Sequence, residues 1–317
     1  VAVGFRQVIE FFHTLPESCQ RQMNNSPLPL QQWSNSYNQT TDAFFGQVYE
    51  IIKQDKNVIF LTADMGAMDL IRIKSDFPQQ FYNVGISEQN MVSVATGLAL
   101  SGKKVFIYTI ACFLQRAFEQ IKVDICGMNL PVTIIGGCVG LSNATDGSTH
   151  HSINDISIMR TLPNLTILNP YDESDARCAI IVTYLEKSPY YIRLDKGSFP
   201  IYNNAITTDI KIIATGTMVE RAMQLKDFQI INMNILKPLD SSLLLYLVKD
   251  AKQIITLEEH LNTGLGSIIS EFLTDNNLNI PLIRLGIDDR PCPVGSREYL
   301  QKFYGLDVES IRRAIDL

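Results

Sequence analysis

The chain reads as an α/β protein made of two open, mainly parallel-sheet domains, and three observations carry that reading. Apolar runs of four to six residues recur along the 317 residues. Each stops near glycines or small polar residues, as strands buried on both faces of a parallel sheet do. Stretches with helical spacing lie between the runs, so that strand and helix alternate. The alternation is interrupted once, by a connector at residues 197–209.

Residues 1–36 contain Pro16, Pro27, Pro29 and the polar run Gln20-Arg-Gln-Met-Asn-Asn-Ser26, which reads as an arm or linker. From 37 to 196 the expected strands are Val58–Ala63, Phe81–Ile86, Val105–Tyr108, Val132–Ile135 and Leu165–Leu168. Ser87 is the expected N-cap of an apolar, small-residue helix that follows the second strand. Cys112–Ile121 is expected to be a helix with an aromatic near its start. Residues 210–317 form a second, smaller α/β domain. Its expected strands are Ile210–Ala214, Ile230–Asn234, Ile254–Leu257 and Leu282–Leu285, and its expected helices include Ser241–Lys249 and Leu265–Leu273.

Composition narrows the function. Hydrophobic residues make up 46% and charged residues 19%, which argues against a disordered chain. A net charge of -6 gives no basic footprint for nucleic acid. No apolar run approaches the length of a membrane-spanning helix. The six cysteines form no CxxC pair, so reduced thiols in a cytoplasmic protein are expected, with no metal held by them.

The most informative stretch is Ala144-Thr-Asp-Gly-Ser-Thr-His-His151. It follows the apolar run Leu130–Ile135 and the small-residue loop Gly136–Gly140, so it falls at the carboxyl end of a strand. Open α/β sheets place their ligands there. Asp146, Thr149, His150 and His151 offer acid, base and hydrogen-bonding groups together, although a solvated surface loop has the same composition. Glu88, in the first turn of a helix, is a candidate acid, and a carboxylate favoured by the helix dipole is the plainer account of it.

Taken in order, these segments resemble the second half of transketolase-type thiamine diphosphate enzymes. The matching positions are Thr62-Ala-Asp-Met65, Gly85-Ile-Ser-Glu-Gln89, Phe113-Leu-Gln-Arg-Ala-Phe-Glu-Gln120, Asp146-Gly-Ser-Thr-His150, Met159–Asn164 and Tyr191-Ile-Arg-Leu194. Thr256-Leu-Glu-Glu-His260, Gly264-Leu-Gly266 and Gly286–Arg290 extend the match through the second domain. The resemblance implies a pyrimidine-binding domain followed by a transketolase C-terminal-like domain. It makes Glu88 the acid at the cofactor's pyrimidine and Phe113 the ring that stacks on it, with Asp64 beside the cofactor. Burial must outweigh the helix dipole if Glu88 is to hold a proton there. His150 would face the substrate carbonyl, where it suits polarisation or proton relay. Asp146 would accept from a sugar hydroxyl, Arg193 would bind phosphate with its guanidinium fork, and Arg116 is a further anion-binding candidate. His151 stands where the family usually has glutamine, which leaves its role open.

Two departures bear on the substrate. Thr41 and Met68 occupy positions where transketolases carry an arginine and a serine on the acceptor phosphate. The Phe-Leu-Gln-Arg run is closer to 1-deoxy-xylulose-5-phosphate synthase, whereas residues 146–164 are closer to two-subunit transketolases. The Gly-Asp-Gly motif that holds Mg²⁺ and the cofactor diphosphate in this family is absent. A diphosphate-binding half is therefore expected as a partner subunit or as the upstream part of a longer polypeptide, within a dimer or heterotetramer. The implied activity is transfer of a two-carbon ketol unit between sugar substrates, with carboligation of pyruvate and an aldehyde as the alternative. A 2-oxo acid dehydrogenase β subunit is a further alternative, opposed by the Asp146–His150 loop.

Overall fold

The computed structural model describes residues 40–197, 199–200, 202 and 206–315. The arm expected at residues 1–36 lies outside the described residues. A seven-stranded sheet comprises β1 (Val58–Thr62), β2 (Phe81–Asn83), β3 (Lys104–Ile110), β4 (Val132–Gly137), β5 (Thr166–Leu168), β6 (Tyr190–Leu194) and β9 (Ile235–Lys237). Their spatial order is β2-β1-β3-β4-β6-β5-β9, parallel throughout except for β9, which runs antiparallel to β5. The second sheet is parallel, in the order β11-β10-β7-β8, with β7 at Ile210–Ala214, β8 at Gln229–Asn232, β10 at Gln253–Leu261 and β11 at Leu282–Ile287.

Side chains alternate along each strand, so each central strand feeds two cores. Ile59, Leu61, Val105, Ile107, Val132 and Ile134 pack with Met91, Val92 and Ala95 of the helix Glu88–Leu100. Val58, Phe60, Phe106 and Tyr108 pack on the other face with Phe44, Phe45 and Val48 of the helix Thr40–Gln54 and with Ile180 of Glu173–Leu185. Both faces are thereby covered, which explains why the strands read as continuous apolar runs. The first core continues into Ile213, Ile231, Ile254 and Ile269 of the second sheet and its helix. Among the described residues, no helix is long and apolar enough to cross a membrane.

The structure departs from the sequence reading at four places. The second strand stops at Asn83 rather than Ile86, because Gly85 takes a positive φ of 77° and turns the chain. Ser87 precedes the helix Glu88–Leu100, but its hydroxyl donates to Val84 O at 2.9 Å and caps no amide. Cys112–Ile121 is not a regular α-helix. It comprises a 3₁₀ stretch (Ala111–Ala117), one α turn (Phe118–Gln120) and a π turn (Ile121–Cys126), and the Cys112 amide is taken by Ser152 Oγ at 2.9 Å. Finally, β6 and β9 join the expected set, with β9 drawn from the second half of the chain onto the first sheet.

The strand order places a switch point between β1 and β3. From β1 the chain moves outward to β2, then crosses back to the other side of β1. Crevices at such points, beyond the carboxyl ends of the strands, are where these sheets bind ligands. Asp64 follows β1, Glu88 follows β2, Phe113 follows β3 and His150 lies in the loop after β4.

Candidate active site

At the end of β1, a tight turn sets Asp64 at a φ of 56°. Asn83 at the end of β2 clamps it: Asn83 Oδ1 accepts from the Asp64 amide at 3.0 Å and from the Gly85 amide at 2.9 Å, while its Nδ2 donates to Asp64 Oδ1 at 3.1 Å. This clamp fixes the chain just ahead of Glu88. Glu88 begins its helix with the side chain only 1% exposed, because it lies on the buried face shared with Met91, Val92 and Ala95. Its Oε2 accepts from Arg116 Nη1 at 3.3 Å, and its Oε1 is buried with no hydrogen-bond partner. Buried carboxylate oxygens are normally satisfied, so this orphan calls for an explanation.

The 3₁₀ stretch after β3 presents Phe113 and Arg116 on one side. The guanidinium of Arg116 lies 5.3 Å from the centre of the Phe113 ring, and that ring meets His150 edge-on at 5.3 Å. Glu88, Arg116, Phe113 and His150 thus form one continuous cluster. The loop carrying His150 is pinned at its base, where Gly140 and Ser152 exchange backbone hydrogen bonds of 3.0 and 2.9 Å. Within the loop, Thr149 Oγ1 lies 3.0 Å from His150 Nδ1. Asp146 is exposed at its tip.

The structure places Arg193 in the interior. Its side chain is 4% exposed, inside β6, and its guanidinium is spent within the protein. Nε and Nη2 grip Asp155 at 2.6 and 3.1 Å, and Nη2 also donates to Ser152 O at 3.4 Å. Two of its three nitrogens are thus committed to internal partners. Burial alone would raise the Asp155 carboxyl, but the Arg193 guanidinium holds it below the ordinary range, and Tyr191 Oη adds a 2.7 Å hydrogen bond.

The exposed cation at this strand end is Lys196, two residues past β6, whose Nζ donates to Asn143 Oδ1 at 3.2 Å beside the His150 loop. The signal that could have found it is position. A side chain inside a central strand is buried, whereas one just beyond its carboxyl end faces the ligand crevice.

The Thr256–His260 and Gly264–Gly266 motifs form a joint between the domains. Glu258 accepts from the amides of Leu265 and Gly266, each at 2.7 Å, at the start of the helix Leu265–Asp275. Burial nevertheless pushes Glu258 up to about 8 and His260 down to about 4. His260 is therefore neutral: its Nε2 accepts from the Ile156 amide at 3.1 Å, so Nδ1 carries the proton towards Leu261 O at 2.7 Å. Glu259 accepts from the Leu141 amide at 2.7 Å and from Arg297, which also pairs with Asp195 at 2.5 Å. A separate cavity of about 870 Å³ lies against β2, lined by Lys56, Tyr82, Val94 and Leu98, away from this cluster.

Family models match both domains. Residues 37–201 match the transketolase pyrimidine-binding domain, and residues 204–311 match the transketolase C-terminal domain. The chain belongs to the transketolase family. It is 35% identical over 88% of its length to a 1-deoxy-D-xylulose-5-phosphate synthase of Halothermothrix orenii, and it spans about half of that protein (49%). It is also 35% identical to one of the subunits of an apulose-4-phosphate transketolase from Phocaeicola vulgatus, a match that covers 85% of this chain and 94% of that relative. A solved split-gene transketolase, described as an inactive β4 tetramer, superposes with a TM-score of 0.78 at 29% identity. That match covers 88% of this chain and 98% of the solved one. The transketolase-family fold thus places Glu88, Phe113 and His150 on one edge of its first sheet.

Proposed function

We propose that this chain is the pyrimidine-side half of a thiamine diphosphate-dependent transferase that moves a two-carbon ketol unit between sugar substrates. The observation that carries the reading is Glu88, whose buried Oε1 has no partner beside the half-buried ring of Phe113. A buried carboxyl with one free oxygen and an adjacent aromatic face fit an aminopyrimidine, which offers a ring nitrogen to the acid and a flat surface to the ring. When bound, the cofactor supplies an electron-accepting thiazolium that makes bond breaking beside a carbonyl feasible.

In this reading Glu88 holds a proton at the pyrimidine, Phe113 fixes the plane of that ring and Asp64 bounds the site at the end of β1. His150 faces the substrate carbonyl and moves or shares a proton at its oxygen. Asp146 accepts from a sugar hydroxyl. Arg116 and Lys196 are the exposed cations near the cluster, and we assign any substrate anion to them rather than to Arg193. We place Mg²⁺ and the diphosphate in a partner half, because no Gly-Asp-Gly motif occurs in the sequence. Self-association fits the apolar side chains of Ile86, Val94, Leu100 and Val123, which stand exposed on and beside the helix Glu88–Leu100. We also read residues 197–209 as the division between domains and assign the protein to the cytoplasm.

A second reading, carboligation of a decarboxylated 2-oxo acid with an aldehyde, is favoured by the missing acceptor ligands. Thr41 lies in the first turn of the helix Thr40–Gln54, and Met68 is 77% exposed where a serine would donate. The test is reconstitution with a diphosphate-binding half, followed by assay of ketol transfer and of CO₂ release from pyruvate. Activity only on mixing supports the split. Tight, Mg²⁺-dependent cofactor binding by this chain alone, as a pure homo-oligomer, would overturn it.

A further inference from the structure

His151 has no part in the chemistry above, yet it is 4% exposed and placed between two specific partners. Its Nε2 lies 3.1 Å from Ala144 O, and a carbonyl only accepts, so Nε2 carries the hydrogen. Nδ1 is then the basic nitrogen, and it faces Cys292 Sγ at 3.1 Å. The thiol donates to the imidazole across the domain boundary. The histidine comes from the loop after β4 and the cysteine from the segment after β11.

Tyr304 closes the other side of the sulfur. It is 7% exposed, and its hydroxyl makes no hydrogen bond of normal geometry. Burial and the neighbouring Cys292 both push that hydroxyl up, so it stays protonated and can donate to a thiolate. Cys292 itself is partly exposed and so within reach of a small reagent. The segment bears directly on the His150 loop, because a Cβ added at Gly147 would sit 3.2 Å from Val294 Cγ2.

Cys112 provides an internal comparison on the opposite side of the same loop. Its Sγ lies 3.4 Å from Thr149 O, an acceptor that cannot remove the proton, and burial pushes its thiol up. Both thiols are partly exposed, and of the two it is Cys292 that faces a base.

We propose that Cys292 and His151 form a reactive thiol–imidazole pair, a covalent modification site for soft electrophiles behind the loop that carries His150. With hydrogen peroxide as the oxidant, the thiol proton passes to His151 Nδ1 and the sulfur attacks the peroxide. An S–O bond forms as the O–O bond breaks. The departing hydroxide takes the proton from the imidazolium, leaving sulfenic acid, water and neutral His151. The added oxygen occupies the gap between the His151 ring and Tyr304, so modification displaces the segment that supports the His150 loop.

The test is substoichiometric labelling of the full chain at neutral pH with N-ethylmaleimide, read by peptide mass spectrometry. A parallel arm uses hydrogen peroxide with dimedone as the trap. Cys292 is expected to label about tenfold or more ahead of Cys112, the margin an adjacent base gives a thiol. His151→Gln should slow Cys292 by about the same factor and leave Cys112 unchanged. The order among cysteines in the unaltered chain needs no variant and stands even if His151→Gln fails to fold. Cys112 labelling ahead of Cys292, or a Cys292 rate indifferent to a folded His151→Gln, overturns the pair.

Discussion

The molecule contains two arginine–carboxylate pairs that look alike in sequence and differ in what they leave undone. Arg193 and Asp155 meet through two short hydrogen bonds with both side chains sealed in the interior, and Tyr191 adds a third bond. Arg116 and Glu88 meet through one longer contact, and the Arg116 side chain is 56% exposed. In the first pair the guanidinium is held by two of its nitrogens, so the pair locks β6 to the helix Asp155–Met159. In the second, one carboxylate oxygen is unmatched and the arginine is largely exposed. Complete satisfaction fits a structural role, whereas a buried orphan beside an exposed cation is the kind of group that calls for an explanation.

The largest expected effect falls on the open pair. Glu88→Gln in the reconstituted enzyme should slow proton removal from the cofactor's thiazolium carbon by about 10²–10⁴-fold, the scale of a positioned acid or base. Proton–deuterium exchange measured by NMR reports that step. Unchanged exchange would make Glu88 an ordinary buried carboxylate and dissolve the contrast.

Arg193→Ala should act on stability instead, costing about 3–5 kcal/mol because Asp155 is left buried without its partner. Urea denaturation of the isolated chain measures this. A normally folded variant that loses affinity only for phosphorylated substrates would reverse the assignment.

The joint beside the closed pair should make stability depend on pH with a definite sign. Glu258 has a folded value of about 8 against 4.5, so its contribution is lost as pH rises between them. His260 has a folded value of about 4 against 6.5, so its contribution is lost as pH falls between those values. The two slopes cancel between 4.5 and 6.5 and leave a net fall of about 2 kcal/mol from pH 6.5 to 8. The stability difference between the unaltered chain and Glu258→Gln, followed by denaturation across that range, should show the fall, because Lys104, held down to about 7 by burial, acts equally in both.

The smallest effect is expected for Arg116→Ala, smaller than that of Arg193→Ala, since the guanidinium is 56% exposed and makes a single 3.3 Å contact with Glu88. A loss as large as that of Arg193→Ala would show that exposure does not separate the two pairs.

Much of the fold was legible because strand and helix leave periodic traces that need only near neighbours to read. The strand at Ile210–Ala214 runs as expected, and the apolar runs elsewhere mark strand positions to within a few residues. The three-residue β9 was not legible, because so short a run carries no pattern and its place depends on pairing with β5. The irregular helix after β3 was hidden for a related reason, since the Cys112 amide is bonded by Ser152, forty residues away.

For the site, sequence alone put Glu88, Phe113 and His150 on loops and helix starts at strand ends, where the sheet's direction forces them to one edge. What it could not decide was which arginine is free. Arg193 and Arg116 carry the same guanidinium, and only the tertiary structure delivers Asp155 to one and solvent to the other. The reason is physical: hydrophobic periodicity is local, whereas the partner that neutralises a buried charge arrives from 38 residues away along the chain.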